Sequence, residues 1–354
     1  MYEQLGLDIS PRQASILLGL LIGLAFGALA EVSQFCFRRA VAGPVSERKS
    51  AAGVWLGGLA TAMIGTQIAV AQGLIAFEDH RFMVTDMPIL AIIVGGLIFG
   101  AGMVLTRGCV ARLTVLAGTG NLRAVLVLLA FAVIAHATLK GVLTPIRTAL
   151  SSVTVPLTNG ALPGSPLIWT VLIAGAAGLL ALRLADNRRT LALGALIGLL
   201  VPAAWIGTGY VLFDEFDPIA LESLSFTSPA TEVLFWTVAS SAIPAGFGVG
   251  LFGGVIAGAM ALSLIAGRFE WQSFTSPQQT GRYLAGAALM GVGGVLAGGC
   301  TIGAGLSGVP TLSVAAILAL VSIGTGGALT ARLIRDGVSS TDAGQATSSA
   351  PQAV

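Results

Sequence analysis

The sequence has few charged and few aromatic residues for its length. Only 10% of its 354 residues are charged and 6% are aromatic, whereas 55% are hydrophobic and the mean hydropathy is +0.91. A water-soluble fold of this size needs a much larger charged surface, so the composition excludes an ordinary soluble protein. The formal net charge is +2 and no block of Lys and Arg occurs, which argues against any nucleic-acid partner.

Cysteine and histidine are also scarce. The chain contains three cysteines, Cys36, Cys109 and Cys300, and two histidines, with no CxxC motif and no spacing typical of a zinc site. Three cysteines so far apart do not form a disulfide scaffold, and we expect neither a metal nor a cofactor. His80 and His136 are expected to have structural or surface roles. The sequence has no Walker motif, which argues against ATP hydrolysis by this chain.

Long apolar stretches are abundant instead. Because a helix needs about twenty apolar residues to cross a bilayer, the sequence predicts an all-α polytopic membrane protein with about nine transmembrane helices. The predicted spans lie near 14–36, 51–72, 88–107, 123–139, 167–183, 190–212, 233–266, 282–298 and 311–333. The stretch 233–266 is too long for one straight crossing, and Pro244 is expected to kink it or to split off a short helix. The 48 glycines predict close helix packing.

The basic residues are unevenly distributed between the loops. One set of alternate loops holds most of them, namely Arg38, Arg39, Arg48, Lys49, Arg112, Arg123, Arg183, Arg188, Arg189, Arg268, Arg332 and Arg335, whereas the other set carries acidic clusters near 78–86 and 214–222. Since basic loops stay in the cytoplasm, we expect a multi-pass protein of a bacterial inner membrane with a periplasmic N-terminus and a cytoplasmic C-terminus. Glu3 and Asp8 precede the first apolar run, so we do not expect a cleaved signal peptide.

Tryptophans in membrane proteins are often anchors at the membrane surface. Four of the five tryptophans, Trp55, Trp169, Trp205 and Trp236, lie mostly near the ends of predicted spans. We therefore expect interfacial anchors rather than a cofactor site.

An internal repeat surrounds two of the cysteines. One register superposes Gly95 on Gly286, Gly100 on Gly291, Gly102 on Gly293, Gly108 on Gly299 and Cys109 on Cys300. The loop charges place the two cysteine-bearing spans in opposite directions, so the two units are predicted to be inverted, as in many secondary transporters. Cys36 has only a looser counterpart, Gly267, in a second register whose two helices run in the same direction.

The segments that follow these two cysteines are short and rich in glycine. Residues 110–120 and 301–310 are too brief to cross the membrane, and we predict two inverted, cysteine-bearing re-entrant hairpins. Backbone of this kind at membrane depth must be buried or line a wet cavity, so Gly108, Val110, Gly299 and Thr301 are predicted to lie near the substrate.

The repeat also suggests a division of the chain. We expect a first membrane repeat at 1–150, linking transmembrane helices with a periplasmic loop at 151–231, and a second membrane repeat at 232–336. Residues 337–354 are small and polar without periodicity, which predicts a disordered cytoplasmic tail.

Three motifs together resemble a known family. They are Ser33-Gln34-Phe35-Cys36-Phe37, Arg107-Gly108-Cys109 with Gly118-Thr119-Gly120-Asn121, and the run from Gly298 to Gly308 that contains Cys300. Over residues 15–333 the chain resembles the YeeE/YedE family of membrane proteins. The resemblance implies uptake of thiosulfate or a similar small sulfur anion, which is handed between Cys36, Cys109 and Cys300. It also implies that a small cytoplasmic sulfur-carrier-like protein is a candidate partner. The sequence departs from the family at Ala304, where a glutamine is common.

Thiols suit such a path chemically. The terminal sulfur of thiosulfate is large and poorly hydrated, so a weak S–H donor contacts it without holding it tightly, and a path must release what it binds. The thiols are expected to be neutral, because a thiolate would repel the anion.

Three charged residues lie close to the cysteines in sequence. Arg107 and Arg112 flank Cys109, and Glu31 lies in the apolar span before Cys36. An ionisable group at membrane depth is a functional candidate. The arginines could equally anchor a helix end, and Glu31 could pair with Gln34 or Arg38.

Other functions fit the sequence less well. A membrane thiol oxidoreductase or sulfur-transfer protein would act covalently, and transport of a selenium compound is a further alternative. The absence of CxxC and of haem, flavin or nucleotide fingerprints favours a permease over an enzyme. A docking subunit for another protein would leave the two central segments unexplained.

Overall fold

Helices dominate the computed structural model, which describes residues 9–348 and their side chains as far as Arg335. Over these residues, nine helical stretches are long and apolar enough to cross a membrane, so the predicted all-α polytopic class is confirmed. The helices are α1 (Pro11–Ser33), α2 (Phe37–Ala42), α3 (Val45–Ala71), α4 (Ile89–Leu105), α5 (Val110–Gly118), α6 (Leu122–Lys140), α7 (Thr144–Ser151), α8 (Pro166–Leu184), α9 (Arg188–Ile206), α10 (Thr227–Ala239), α11 (Phe247–Ile265), α12 (Pro277–Leu296) and α13 (Val314–Ser348). The strands β1 (Asp86–Met87) and β2 (Val155–Pro156) pair antiparallel.

Helix α1 packs parallel to α11 through glycines. Gly19 lies against Phe247 and Leu251, whereas Gly27, two turns later, lies against Val255 and Ala259. A Cβ on either glycine would run into the backbone of α11, so only glycine allows this approach. The two helices run in the same direction, as the looser register around Cys36 predicted.

Helix α4 packs antiparallel to α12, and glycines again form the contact. Gly95 near the start of α4 lies against Leu296 at the end of α12, whereas Gly102 lies against Gly286 and Met290, earlier in α12. The helices that lead to Cys109 and Cys300 therefore run in opposite directions, side by side.

The long helices alternate between two faces of the protein. We call the face where α1 begins the Pro11 face and the face at the turn between α2 and α3 the Pro44 face. The helices α1, α4, α8, α11 and α13 begin at the Pro11 face, and α3, α6, α9 and α12 begin at the Pro44 face. Ser313, just before α13, donates to the Phe82 carbonyl in the loop between α3 and α4 (2.7 Å), which fixes both at the Pro11 face.

Two of the crossings are broken at a cysteine. Helix α4 is followed at Cys109 by the short α5, and α12 is followed at Cys300 by a π-helical segment, Thr301–Gly308. Each short segment continues toward the face at which the chain then turns. After α5 the chain turns at the Pro44 face, because α6 begins there beside α12 and runs parallel to it. After the π-helical segment it turns at the Pro11 face, where Ser313 lies. The structure shows broken helices here, and the predicted re-entrant hairpins are not shown.

Two further sequence predictions concern segment ends. The stretch 233–266 is divided into α10 and α11 with Pro244 between them, which confirms the split. Helix α13 extends to Ser348, and 349–354 lie outside the described residues. The disordered tail from Gly337 therefore stays a prediction.

Candidate substrate path

All three cysteines occupy the same local position, the residue that precedes the first turn of a helix. Cys36 precedes α2, Cys109 precedes α5 and Cys300 precedes the π-helical segment, each with extended backbone angles. All three are free thiols and are buried, with exposures of 4%, 2% and 0%. Each cysteine therefore precedes N–H groups that have no carbonyl partner within their own helix.

A left-handed residue lies two positions before each cysteine. The φ angles are 50° at Gln34, 61° at Arg107 and 73° at Gly298. Glycine adopts this conformation freely, whereas Gln and Arg pay a steric cost on the order of 1 kcal/mol. Strained backbone of this kind is concentrated at functional sites. Cys36 thus shares the local geometry of the other two cysteines, which the sequence register did not reveal.

Cys109 lies near both of the other cysteine-bearing segments. The Gly303 amide donates to Cys300 Sγ at 3.4 Å. The thiols of Cys36 and Cys109 lie close enough to interact, and the Thr301 hydroxyl faces the Cys109 thiol. Thr301 follows Cys300 directly in the chain, so polar groups lead from the Cys300 segment through Cys109 to Cys36.

A cavity on each face approaches this series. On the Pro11 face, a cavity of about 470 Å³ is lined by Gly303 and Ser307 of the π-helical segment; we call it the vestibule. On the Pro44 face, a cavity of about 340 Å³ is lined by Cys36 itself. The two cavities and the buried thiols together mark a candidate path through the protein.

Most of the ionisable side chains that line the vestibule are acidic, namely Glu78, Asp79, Glu222 and Glu232, and the others are His80 and Arg81. Burial and the neighbouring Glu232 charge raise the pKa of Glu222 to about 7, although Arg81 acts in the opposite direction. Burial likewise raises the pKa of Glu232. Burial and then Arg81 lower the pKa of His80 to about 4, so this imidazole is neutral at neutral pH. Arg81 is therefore the cation of the vestibule.

Glu31 joins two arginines near the Pro44 face. Its carboxylate lies 3.9 Å from Arg112 and 3.6 Å from Arg268, and Arg112 also donates to the Ala30 carbonyl at 3.2 Å. Its salt-bridge partners are thus not those suggested by the sequence, Gln34 and Arg38. The contacts tie α1 to α5 and to the loop after α11.

Most of the remaining predicted path residues are buried, and their place on a path stays a prediction. Gly108, Val110, Gly299 and Thr301 are buried around the two helix starts, whereas Arg107 is exposed. No described acidic group lies within salt-bridge distance of Arg107.

Two residues of the candidate site carry no signal in the sequence. Ser225 and Trp205 line the vestibule beside Gly303, and no motif or spacing pointed to them. The prediction of interfacial anchors was wrong for Trp55 and Trp205, which are only 4% and 2% exposed. A position near a span end does not reveal whether the ring turns toward lipid or toward the core.

The protein has long apolar helices, and two of its crossings are broken at buried cysteines that lie between cavities on opposite faces. These features define a polytopic membrane transport protein. The chain matches the model of the sulphur transport family over residues 32–329 and belongs to that family. The YeeE/YedE resemblance of the sequence motifs is thereby confirmed.

Two relatives carry specific names. The thiosulfate transporter TsuA of Spirochaeta thermophila is 25% identical over 318 residues, which cover 86% of this chain and 94% of the relative. The thiosulfate transporter TsuA of Escherichia coli is 27% identical over 271 residues, which cover 69% of this chain and 72% of the relative.

Proposed function

We propose that this protein imports thiosulfate, or a closely similar sulfur anion, along a path on which Cys300, Cys109 and Cys36 hand the anion on by weak S–H contacts. The observation that carries the proposal is the threefold local geometry, in which each buried thiol precedes a helix start and follows a left-handed residue. The names of the two relatives support thiosulfate as the substrate.

The chemistry of the path suits a soft anion. Thiols and helix N–H groups provide weak donors, so the anion is bound and released easily. Backbone amides such as that of Gly303 already point at a sulfur atom, Cys300 Sγ. A guanidinium at the same depth would hold a dianion more firmly.

The direction of import follows from the charges. The Pro44 face carries the turn with Arg38, Arg39, Arg48 and Lys49, whereas the Pro11 face carries the acidic clusters. Basic loops stay in the cytoplasm, so the proposal places the vestibule in the periplasm of a bacterial inner membrane.

Uptake by the purified protein tests the proposal. In liposomes, the wild-type protein is expected to accumulate labelled thiosulfate at a rate well above that of empty liposomes, and unlabelled thiosulfate should compete. An absence of thiosulfate uptake by the wild-type protein would contradict the proposal.

A covalent function has one observation in its favour, the closeness of the Cys36 and Cys109 thiols. In a membrane sulfur-transfer protein, a cysteine thiolate would attack the terminal sulfur of thiosulfate and break its S–S bond, so that a persulfide forms on the cysteine and sulfite leaves. Mass spectrometry of the protein after exposure to thiosulfate separates the two functions, because a permease is expected to keep all three thiols unmodified.

Thiosulfate uptake is expected to accelerate as the pH at the vestibule falls from about 8 to 6. Below its pKa of about 7, Glu222 is neutral and the vestibule loses one negative charge, which lowers the repulsion of a dianion. One charge acting through a partly screened medium changes the rate on the order of 3- to 10-fold. Uptake by wild-type liposomes across this pH range measures the effect.

The variant Glu222→Gln mimics the protonated carboxyl and should transport at the low-pH rate throughout. Glu78→Gln is the matched control, because it removes an exposed carboxylate of the same cavity and should leave the pH step in place. An unchanged pH step in Glu222→Gln would exclude this carboxyl as its origin.

A further inference from the structure

Two buried hydroxyl groups near the Cys300 segment have no nitrogen or oxygen hydrogen-bond partner. Thr301 is 0% exposed and Ser225 is 8% exposed, and the only polar group that the Thr301 hydroxyl faces is the Cys109 thiol, which is a weak partner. An unpaired buried hydroxyl costs free energy, and folded proteins pair nearly all of them. Such groups at the centre of a candidate path therefore need an explanation.

Neither hydroxyl has the backbone carbonyl partner that is usual for a helical threonine or serine. A helical threonine normally donates to the carbonyl four residues earlier, as Thr114 does to Val110 at 3.0 Å. Thr301 is the first residue of its segment, so no earlier turn exists, and Ser225 lies in the irregular chain before α10. Ser307, in the same segment as Thr301, is paired with the Leu224 carbonyl at 2.7 Å.

The two hydroxyls lie on different sides of Cys300 along the path. Ser225 lines the vestibule, and a Cβ placed on Gly303 would come within 2.8 Å of its oxygen. Gly303 in turn donates to Cys300 Sγ. The Thr301 hydroxyl faces the other way, toward the Cys109 thiol. A small anion at Cys300 would therefore lie between the two hydroxyls.

Thiosulfate has two chemically different ends. Its terminal sulfur is soft and suits a thiol, whereas its three sulfonate oxygens are hard acceptors that suit hydroxyl donors. The thiols by themselves leave those oxygens without partners in a desolvated site, which is unfavourable for an anion.

We propose that Ser225 and Thr301 form, with Cys300, an oxyanion-binding subsite in which the hydroxyls donate to the sulfonate oxygens while the thiol contacts the terminal sulfur. The subsite takes small anions of the sulfonate class, and its assignment to thiosulfate rests on the proposed function. The unpaired hydroxyls are then satisfied when the substrate is bound.

Variants that remove the hydroxyl without changing the shape test the subsite. Thr301→Val and Ser225→Ala are expected to keep or raise the unfolding temperature, because they remove an unpaired buried polar group. They should nevertheless raise the KM for thiosulfate about tenfold. Thr301→Ser restores the donor and should restore the wild-type KM. A merely structural threonine would not separate stability from KM in this way.

Thr66→Val is the matched control. Thr66 is also 0% exposed and unpartnered, but it lies on α3 outside the lining of both cavities. It should match the two path variants in stability and the wild type in KM. A wild-type KM in Thr301→Val and Ser225→Ala would overturn the subsite.

Calorimetric titration of thiosulfate into the detergent-solubilised protein separates this inference from the proposed function. If the wild type binds thiosulfate and both hydroxyl variants bind it about tenfold more weakly, the subsite is supported, even if liposomes show no uptake. An absence of uptake would then contradict the proposed transport but not the subsite. Equal binding by the wild type and both variants contradicts the subsite. Wild-type protein that neither binds nor transports thiosulfate contradicts both.

Discussion

Alanine at Cys109 or Cys300 is expected to reduce thiosulfate uptake by roughly 10- to 100-fold. Each substitution removes a donor from a buried constriction, and a hydrogen bond to a charged group contributes about 1.5–3 kcal/mol, with about 1.4 kcal/mol per factor of ten. Both thiols are almost fully buried, so water cannot replace the lost donor. Initial uptake rates in liposomes, normalised to the reconstituted protein, give the measurement.

Serine at the same two positions is the matched comparison. Cys300→Ser keeps a donor of similar shape but replaces a soft atom with a hard one, so its rate should lie between those of the wild type and Cys300→Ala. The same order is expected at Cys109. Undiminished uptake by both alanine variants would contradict the thiol path, whatever the serine variants do.

Alanine at Gly254 is expected to destabilise the protein by about 1–3 kcal/mol, the cost of overpacking a close contact. A Cβ there would run into the Leu20 carbonyl and the Leu24 amide of α1, so the two helices must separate. Because α1 leads to Cys36, the separation should also displace this thiol from Cys109 and lower uptake. The unfolding temperature in detergent and the uptake rate are the two measurements.

The neighbouring Gly253 provides the control for that substitution. A Cβ at Gly253 meets no atom within 4 Å, and the residue is exposed. Gly253→Ala should be neutral or slightly stabilising, because alanine is the better helix former by about 1 kcal/mol. Equal unfolding temperatures for the two variants would show that the contact between α1 and α11 does not depend on glycine.

Composition and periodicity were sufficient for the class of protein and for much of its plan. In a bilayer, the backbone N–H and C=O groups of about twenty consecutive apolar residues find hydrogen-bond partners within the segment only as a helix, so the spans follow from hydropathy. The register that superposes Cys109 on Cys300 predicted two opposed units, and α4 and α12 do pack antiparallel. The three motifs also sufficed to identify the family.

The sequence by itself determined the membrane helices, the glycine contacts and the three cysteines as candidates, because these depend on local composition and on repeated spacing. Only the tertiary structure decided that Cys36 has the same left-handed turn and helix start as the other two, and that its thiol lies beside Cys109. It also decided the partners of Glu31 and the unpaired hydroxyls of Ser225 and Thr301. Such contacts join residues distant in the chain, and a hydroxyl is unpaired only relative to the neighbours that folding brings to it.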